Sequence, residues 1–156
     1  MSILTQGTMV YFIDPAGPTV VKAACVKALT LSGAPATQIP DTCLEDTTAT
    51  FRSGLRQPAQ STMGISPDSQ YESHMTLFNL YNQDPSPTIK WAVGWADGTD
   101  APTLDSSGDF ELPTTRTWNT FSASLVDFPF DFATDSVVDG TVPLQRSGGL
   151  TWVKKV

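Results

Sequence analysis

The sequence is poor in positive charge, histidine and cysteine, and these deficits exclude whole classes of function. Nine lysines and arginines against 16 aspartates and glutamates give a formal net charge of −7. Tight nucleic-acid binding requires a basic face that neutralises phosphates, so we do not expect it here. The same acidity argues against binding to an anionic membrane, and no stretch approaches the roughly 20 apolar residues of a membrane span.

The two cysteines, Cys25 and Cys43, are expected to be free thiols. Disulfide frameworks normally accompany export signals. Residues 1–14 have neither the basic segment nor the long apolar run of a signal peptide. The sequence therefore predicts folding in a reducing cytosol.

Charged residues are also scarce, at 16% of the chain against roughly 25% in an average soluble protein. This scarcity predicts that partners cover part of the surface. The length of 156 residues predicts a single domain spanning 1–156.

Alternating apolar residues predict a mainly β protein, an antiparallel β-sandwich or barrel. The odd-numbered and the even-numbered residues of the second strand are both mainly apolar, so neither face is clearly solvent-exposed. This suggests that its second face meets a neighbouring subunit. A change of parity after the strand at 117–126 predicts a bulge or bend near 127–129. The predicted strands are 6–13, 19–31, 89–96, 110–112, 117–126, 137–145 and 150–153, with a possible short strand at 61–65.

A long polar loop at 32–68 leads into the only convincing helix, at about 70–82. A loop of this length in a compact domain usually carries function or is disordered. This loop has no nucleophile–base pair, no metal-ligand cluster and no phosphate-binding glycine pattern. We therefore expect it to contact another protein.

No catalytic residue, metal site or cofactor is predicted, and the chain is not expected to be an enzyme. His74, the only histidine, has no acid and nucleophile in a recognisable pattern and is expected as a surface or half-buried residue of the helix. The acidic stretch at 97–111 lacks the ligand spacing of a calcium loop, so its carboxylates are expected in solvated turns.

Two further features leave alternatives open. The four tryptophans, Trp91, Trp95, Trp118 and Trp152, could form a carbohydrate-binding platform on a β-sandwich, although the first two share the parity of core residues. Arg52 and Arg56 are either solvated or contact an acidic patch on a neighbour, since the guanidinium fork suits carboxylates.

Taken in order, these segments resemble the major tail tube proteins of long-tailed, non-contractile (siphovirus-type) bacteriophages. The segments that carry the resemblance are LEDTTATFRSGL at 44–55, the helix QYESHMTLFNLYN at 70–82, IKWAVGWADGT at 89–99 and FSASLVDFPFDFATDSVVDGTVPLQRSGG at 121–149. The family has one continuous strand at the position where Asp139-Gly140 would favour a hairpin turn. A bulge at Gly140 would reconcile the two, and we expect one there.

The resemblance implies the phage tail-tube fold: a β-sandwich with one packed helix and a long inter-ring loop. It implies a structural virion protein whose hexameric rings stack, by self-assembly, into the hollow tube that conducts phage DNA during ejection. The implied partners are other copies of the chain, the tape measure protein, the tail terminator and distal tail or baseplate proteins. Double-stranded DNA is present only in transit, no membrane is involved, and the tail is assembled in the host cytoplasm.

In related proteins the long loop and the N-terminal arm join one ring to the next, a role that falls here to the loop and to residues 1–7. We expect both to be disordered in the monomer, which would delay polymerisation. The predicted contact residues are Asp41, Leu44, Glu45, Asp46, Phe51, Arg52, Leu55 and Arg56. The alternative function is a carbohydrate-binding or adhesin-like module.

An acidic lumen would repel the phosphates of passing DNA. The predicted lumen residues are Thr120, Ser122, Ser124, Asp127, Asp131, Asp135 and Asp139. Parity alone does not say which strand faces line the lumen.

Overall fold

A computed structural model describes residues 2–156 of the chain as eleven strands and one helix. The elements are β1 (Met9–Asp14), β2 (Thr19–Ala23), β3 (Val26–Thr30), β4 (Ala36–Pro40), β5 (Phe51–Arg56), β6 (Gln60–Ile65), α1 (Glu72–Tyr81), β7 (Ile89–Gly94), β8 (Thr103–Leu104), β9 (Phe110–Glu111), β10 (Trp118–Leu125) and β11 (Gly140–Val153). The predicted mainly β fold with one helix is confirmed.

One antiparallel sheet of seven strands, in the order β2-β1-β7-β10-β11-β6-β3, forms the body of the molecule. Its two edge strands, β2 and β3, are consecutive in the chain and are separated only by Ala24 and Cys25. Two strands so close in sequence can lie at opposite edges only if the sheet curls, so the sheet forms a half-barrel. Cys25 makes the sharp bend with a positive φ of 52°, a conformation that L-residues rarely adopt.

The concave side of the sheet holds the main core, built around Phe12, Met63, Trp91, Phe121 and Leu144. Trp91 stacks on Phe121 with the ring planes 4° apart, and its indole nitrogen donates a hydrogen bond to the Ala123 carbonyl. The alternation Phe121, Ala123, Leu125 on β10 faces this core, as its sequence period predicts.

The helix α1 packs on the half-barrel and holds the bend between β2 and β3. The Ser73 hydroxyl accepts a hydrogen bond from the Ala24 N–H (3.2 Å), and His74 Nε2 donates to the Ala24 carbonyl (2.5 Å). His74 Nδ1 accepts from the Asp68 N–H (3.1 Å), so the ring is the tautomer protonated at Nε2. His74 is buried, and the prediction of a surface or half-buried position is therefore wrong.

An excursion of the chain from 95 to 117, which includes β8 and β9, covers the convex side of strands β2, β1 and β7. Phe110 and Leu112 from this excursion pack with Tyr11, Ala92 and Trp118 in a second, smaller core. It also covers one end of β10 and β11, at Trp118 and Val153, but not the rest of the convex side of β10, β11, β6 and β3.

Arg116, at the end of this excursion, is fully buried and lies 5.3 Å from the centre of the Trp118 ring. Its guanidinium donates to four main-chain carbonyls at 2.6–3.3 Å, those of Gly7, Gly94, Trp95 and Asp100. A Cβ on Gly94 would lie 2.6 Å from the Arg116 Cζ, so only glycine leaves room for the guanidinium. Arg116 thereby joins the N-terminal arm, β7 and the excursion.

Three strand predictions are corrected. The predicted strand 19–31 is two strands, and its two apolar parities have an intramolecular cause, because Val20 packs in the second core and Val21 against the main core. The loop predicted at 32–68 contains the hairpin β4–β5, whereas the short strand allowed at 61–65 is confirmed as β6. No bulge is found at Gly140, where one was expected, because Gly140 pairs regularly with Ile65. The β10–β11 pair has a register shift at a different place, between Thr120 and Ser122 and opposite Gly148, whose φ is positive (83°).

Replacing Arg116 with methionine should lower the free energy of unfolding by about 3 kcal/mol or more, because four main-chain carbonyls lose the charged donor that is buried among them. Urea unfolding followed by tryptophan fluorescence measures this change. Arg56→Met, on the exposed face of β5, is the control and should be close to neutral. A loss below about 1 kcal/mol for Arg116→Met would contradict the role of the guanidinium.

Replacing His74 with leucine should cost about 1–3 kcal/mol, because the Ala24 carbonyl and the Asp68 N–H are left without partners. Amide hydrogen exchange should show earlier opening of β2 and β3 than of β10 in this variant. Uniform opening of all strands would mean that the histidine does not hold the bend.

Candidate functional site

The segment predicted to contact other subunits is a β-hairpin that projects from the sheet. Strands β4 and β5 pair only with each other, with Pro40 opposite Phe51, and residues 41–50 form the hairpin tip. Its apolar side chains face solvent: Leu44 is fully exposed, and Phe51 and Leu55 are 59% and 75% exposed. Exposed apolar side chains concentrated on one projecting element mark an interaction surface.

The hairpin is ordered by its own polar contacts. Arg52 Nε donates to the Asp41 carboxylate at 2.5 Å, so this arginine, with its side chain 77% exposed, has an acidic partner in its own chain. The Asp46 carboxylate accepts from the Cys43 N–H at 2.8 Å and closes the turn at the tip. The side chains of Glu45 and Arg56 are exposed and make no hydrogen bond or ion pair within residues 2–156. A preformed hairpin replaces the disordered loop that the sequence predicted.

The uncovered convex face of β10, β11, β6 and β3 is mainly polar, and its ladder-paired residues carry no charge; the exposed Lys27 lies at the register shift of β3, between Val26 and Ala28. The ladder pairs Ser122–Ser147, Ser124–Gln145 and Pro143–Thr62 show that its side chains lie side by side across the strands. Lys90 on β7 borders this face and is paired with Asp109 at 3.2 Å. The face consists of Ala28, Thr30, Gln60, Thr62, Gly64, Thr120, Ser122, Ser124, Thr141, Pro143, Gln145 and Ser147. We call it the neutral face.

The predicted lumen residues fall into two groups. Thr120, Ser122 and Ser124 are half-buried on the neutral face. The four aspartates, Asp127, Asp131, Asp135 and Asp139, are all exposed on the connection from β10 to β11. Two main-chain hydrogen bonds between Asp131 and Asp139, at 2.7 and 3.2 Å, fold this connection back on itself. Its carboxylates lie beyond the ends of the strands that carry the neutral face.

In the acidic stretch at 97–111, carboxylates stabilise turns by accepting local hydrogen bonds. The Asp97 carboxylate accepts from the hydroxyl and the N–H of Thr117, and these hydrogen bonds lower the pKa of Asp97. The Asp105 carboxylate accepts from the hydroxyl and the N–H of Ser107, and these hydrogen bonds lower its pKa likewise. Within residues 2–156, no group of three or more potential ligands could hold a metal ion.

The tryptophans do not form a common platform. Trp91 and Trp118 are fully buried in different cores. Trp95 stacks on the exposed Trp152 with ring centres 5.7 Å apart. A sugar-binding surface of four tryptophans is therefore not present in the described part of the chain.

Sequence reasoning missed two buried arginines, Arg116 and Arg146. The signal for Arg146 was available, because it continues the inward parity of Val142 and Leu144 along β11. For Arg116 no comparable signal exists, since its carbonyl partners come from three separate segments. The single helix α1 is too short to cross a membrane, and residues 2–156 contain no other helix.

Comparisons with known proteins agree with this architecture. All of residues 1–156 match a family described as phage tail tube, TTP, lambda-like. Structural protein 3 of Pseudomonas phage PAJU2 is 40% identical over 150 residues, which cover 94% of this chain and 90% of that relative.

Solved structures show the same fold at low sequence identity. A chain of the SPP1 tail tube has a TM-score of 0.69 at 10% identity, over 99% of this chain and 81% of its own. A chain of the anti-feeding prophage baseplate has a TM-score of 0.66 at 11% identity, over 99% and 97% of the two chains. A chain of the PVC sheath-tube complex, from an extracellular contractile injection system, has a TM-score of 0.66 at 9% identity.

Proposed function

The chain belongs to the lambda-like phage tail tube family and is a structural tail tube subunit, and from this premise we propose how its surfaces build the tube. Six copies form a ring, rings stack into a hollow tube, and the tube conducts double-stranded DNA during ejection. This role needs no catalysis and no cofactor.

The neutral face is the observation that carries the proposal. A wall that a polyanion must pass quickly should neither bind phosphates, as lysine would, nor raise a high electrostatic barrier along its length. Hydroxyl and amide side chains such as Ser122, Thr62 and Gln145 meet both conditions while keeping the wall hydrated. We therefore assign the neutral face to the lumen and the aspartates of the β10–β11 connection to its rim.

The β4–β5 hairpin and the N-terminal arm join one ring to the next. Exposure of Leu44, Phe51 and Leu55 supports this role, because such side chains are stabilised when a partner removes them from water. Arg116 supports it for the arm, because its hydrogen bond to the Gly7 carbonyl (3.0 Å) fixes the point where the arm leaves the sheet.

Further partners follow from the same role. A hollow tube made of this subunit needs a protein inside it during assembly, a terminator at one end and distal tail or baseplate proteins at the other. We propose the tape measure protein, the tail terminator and the distal tail proteins for these positions, with assembly in the host cytoplasm and the finished subunit in the virion.

Replacing the hairpin tip, residues 41–50, with Asn-Gly should abolish tube formation and leave the monomer folded. Pro40 and Phe51 are directly opposite each other, so a two-residue turn can connect them. Electron microscopy of the concentrated protein measures assembly, and thermal unfolding measures the fold. A matched shortening of the β8–β9 turn, with residues 105–109 replaced by Asn-Gly, should still give tubes. Tubes of normal length from the 41–50 variant would contradict the role of the hairpin.

Replacing Ser122 and Ser124 together with lysine should slow DNA ejection several-fold, because cations on the neutral face attract the phosphates of DNA. Ejection from single particles stained with a DNA dye measures the rate, and its dependence on salt should steepen. The variant with asparagine at both positions is the control and should eject normally. Unchanged ejection from intact lysine-bearing tails would place the lumen on another face.

A further inference from the structure

The connection from β10 to β11 carries an exposed apolar surface that the fold does not use. Phe130 and Phe132 are 47% and 76% exposed, and Val126 and Val137 are 45% and 61% exposed. Large apolar side chains that lie in solvent and are concentrated in one segment mark a contact surface. We call the exposed side chains of residues 126–139 the connection patch.

The connection patch is held in a fixed shape by the helix. Phe128 is buried in the main core, and the rings of Phe128 and Phe130 both pack edge-to-face against Phe78 of α1, with ring centres 5.5 and 5.9 Å away. The main-chain hydrogen bonds that fold the connection back on itself make residues 132–138 a turn. A surface that is ordered before binding loses little conformational entropy when a partner covers it.

The charge of the connection patch is entirely negative. Residues 126–139 contain four aspartates and no lysine or arginine. The carboxylates of Asp131 and Asp135 are exposed and make no hydrogen bond or ion pair within residues 2–156. Two such patches repel each other, so the patch is not expected to meet its own equivalent on another copy. Its partner must combine apolar side chains with positive charge.

The other end of β11 and the residues after it have this composition. Leu150, Trp152 and Val156 are 40%, 71% and 98% exposed. Lys154 and Lys155 lie beside them and are exposed as well. This part of the chain contains no aspartate or glutamate, although the chain as a whole has a net charge of −7. We call these five side chains the C-terminal patch.

The C-terminal patch is also fixed to the body of the subunit. The Val156 N–H donates to the Thr114 carbonyl at 3.0 Å, and Lys155 Nζ donates to the Asp97 carbonyl at 2.8 Å. The Lys154 ammonium group makes no hydrogen bond or ion pair within residues 2–156. Its charge is therefore available to a carboxylate of another molecule.

The two patches lie at opposite ends of β11. This strand runs from Gly140 to Val153, a distance of about 40 Å in extended chain. The connection patch comes directly before the strand, and the C-terminal patch lies at its end. A second copy displaced along β11 therefore brings its C-terminal patch to the connection patch of the first, and the same displacement can be repeated by further copies.

We propose that the connection patch of one subunit packs against the C-terminal patch of a subunit in the next ring. Phe132 then packs beside Trp152 and Val156. The Asp131 carboxylate accepts hydrogen bonds from the Lys154 ammonium group. This inference rests on the proposed function, because it identifies a second contact between stacked rings, separate from the hairpin. It also gives the aspartates at the rim a positively charged partner on the adjoining ring.

Disulfide formation between copies tests the contact directly. In the background Cys25→Ser and Cys43→Ser, the substitutions Ala133→Cys and Val156→Cys place one thiol on each patch. After tube assembly and oxidation with diamide, non-reducing electrophoresis should show a ladder of linked subunits. The control carries Ser106→Cys, on the exposed β8–β9 turn, in place of Val156→Cys and should show no ladder.

Charge reversal tests the ion pair. Asp131→Lys and Lys154→Glu should each raise the protein concentration needed for assembly about tenfold or more, because each brings like charges together across the contact. The variant with both substitutions should assemble nearly as well as the unmodified chain, because opposite charges face each other again. Glu111→Lys and Lys22→Glu, at exposed positions of β9 and β2, are the matched controls and should assemble normally.

Monomer stability separates a contact between subunits from packing within one subunit. Phe132→Ser should raise the concentration needed for assembly about tenfold or more, because a buried aromatic contact is lost from the interface. It should leave the midpoint of thermal unfolding of the dilute monomer unchanged, because Phe132 is 76% exposed there. Phe128→Ser should lower that midpoint, because Phe128 is buried. A lower midpoint for Phe132→Ser would contradict the proposal.

Tubes of the Ala133→Cys, Val156→Cys chain without a disulfide ladder would overturn this contact and leave the tube function intact. Failure of the double charge reversal to restore assembly would do the same. Normal tubes of Phe132→Ser that no longer bind the other tail proteins would also overturn it and would assign the connection patch to one of those proteins. Failure of the unmodified chain to form any tube, even in the presence of the other tail proteins, would instead overturn the proposed function itself.

Discussion

The bend at Ala24 and Cys25 is the constraint on which the architecture depends. Strands β2 and β3 are neighbours in the chain but occupy opposite edges of one sheet, so the sheet must curl around whatever fills its concave side. Ser73 and His74 of the helix hold both main-chain groups of Ala24, and the aromatic core fills the concavity. The convex side then divides into three strands that the excursion covers and four that remain open, except where Trp118 and Val153 meet the excursion.

Sequence periodicity predicted those strands whose two faces meet different surroundings. On β10 the apolar residues face the core and the hydroxyls face outward, so alternation was visible. It failed on residues 19–31, because the two sides of β2 pack in two different cores and the bend lies within an apolar run. It failed on the hairpin for the opposite reason, because both faces of β4 and β5 are largely exposed and no alternation results. The candidate contact residues were found by position and composition, whereas the buried arginines depend on partners distant in sequence.

A preformed hairpin also changes the expected energetics of assembly. A disordered loop would lose conformational entropy when it docks, and this loss would slow polymerisation. In this structure the segment is already ordered when the subunit folds, so most of its conformational entropy is lost before docking. It is ordered by the pairing of β4 with β5, by the Arg52–Asp41 ion pair and by the turn that Asp46 closes. If the hairpin joins rings as proposed, ordering of this segment would contribute little to any barrier against polymerisation.

In the proposed stacking, the hairpin of one copy meets a different part of the chain in a copy of the next ring. A contact between unlike surfaces is heterologous: each copy that uses its hairpin still offers a free receiving surface, and each copy that receives a hairpin still offers its own. Repeated copies of a heterologous contact form a closed ring only if the rotation between copies returns to the first one. When the copies are instead displaced along an axis, the assembly stays open. If rings stack through such a contact, growth has a direction and the two ends of the tube are chemically distinct.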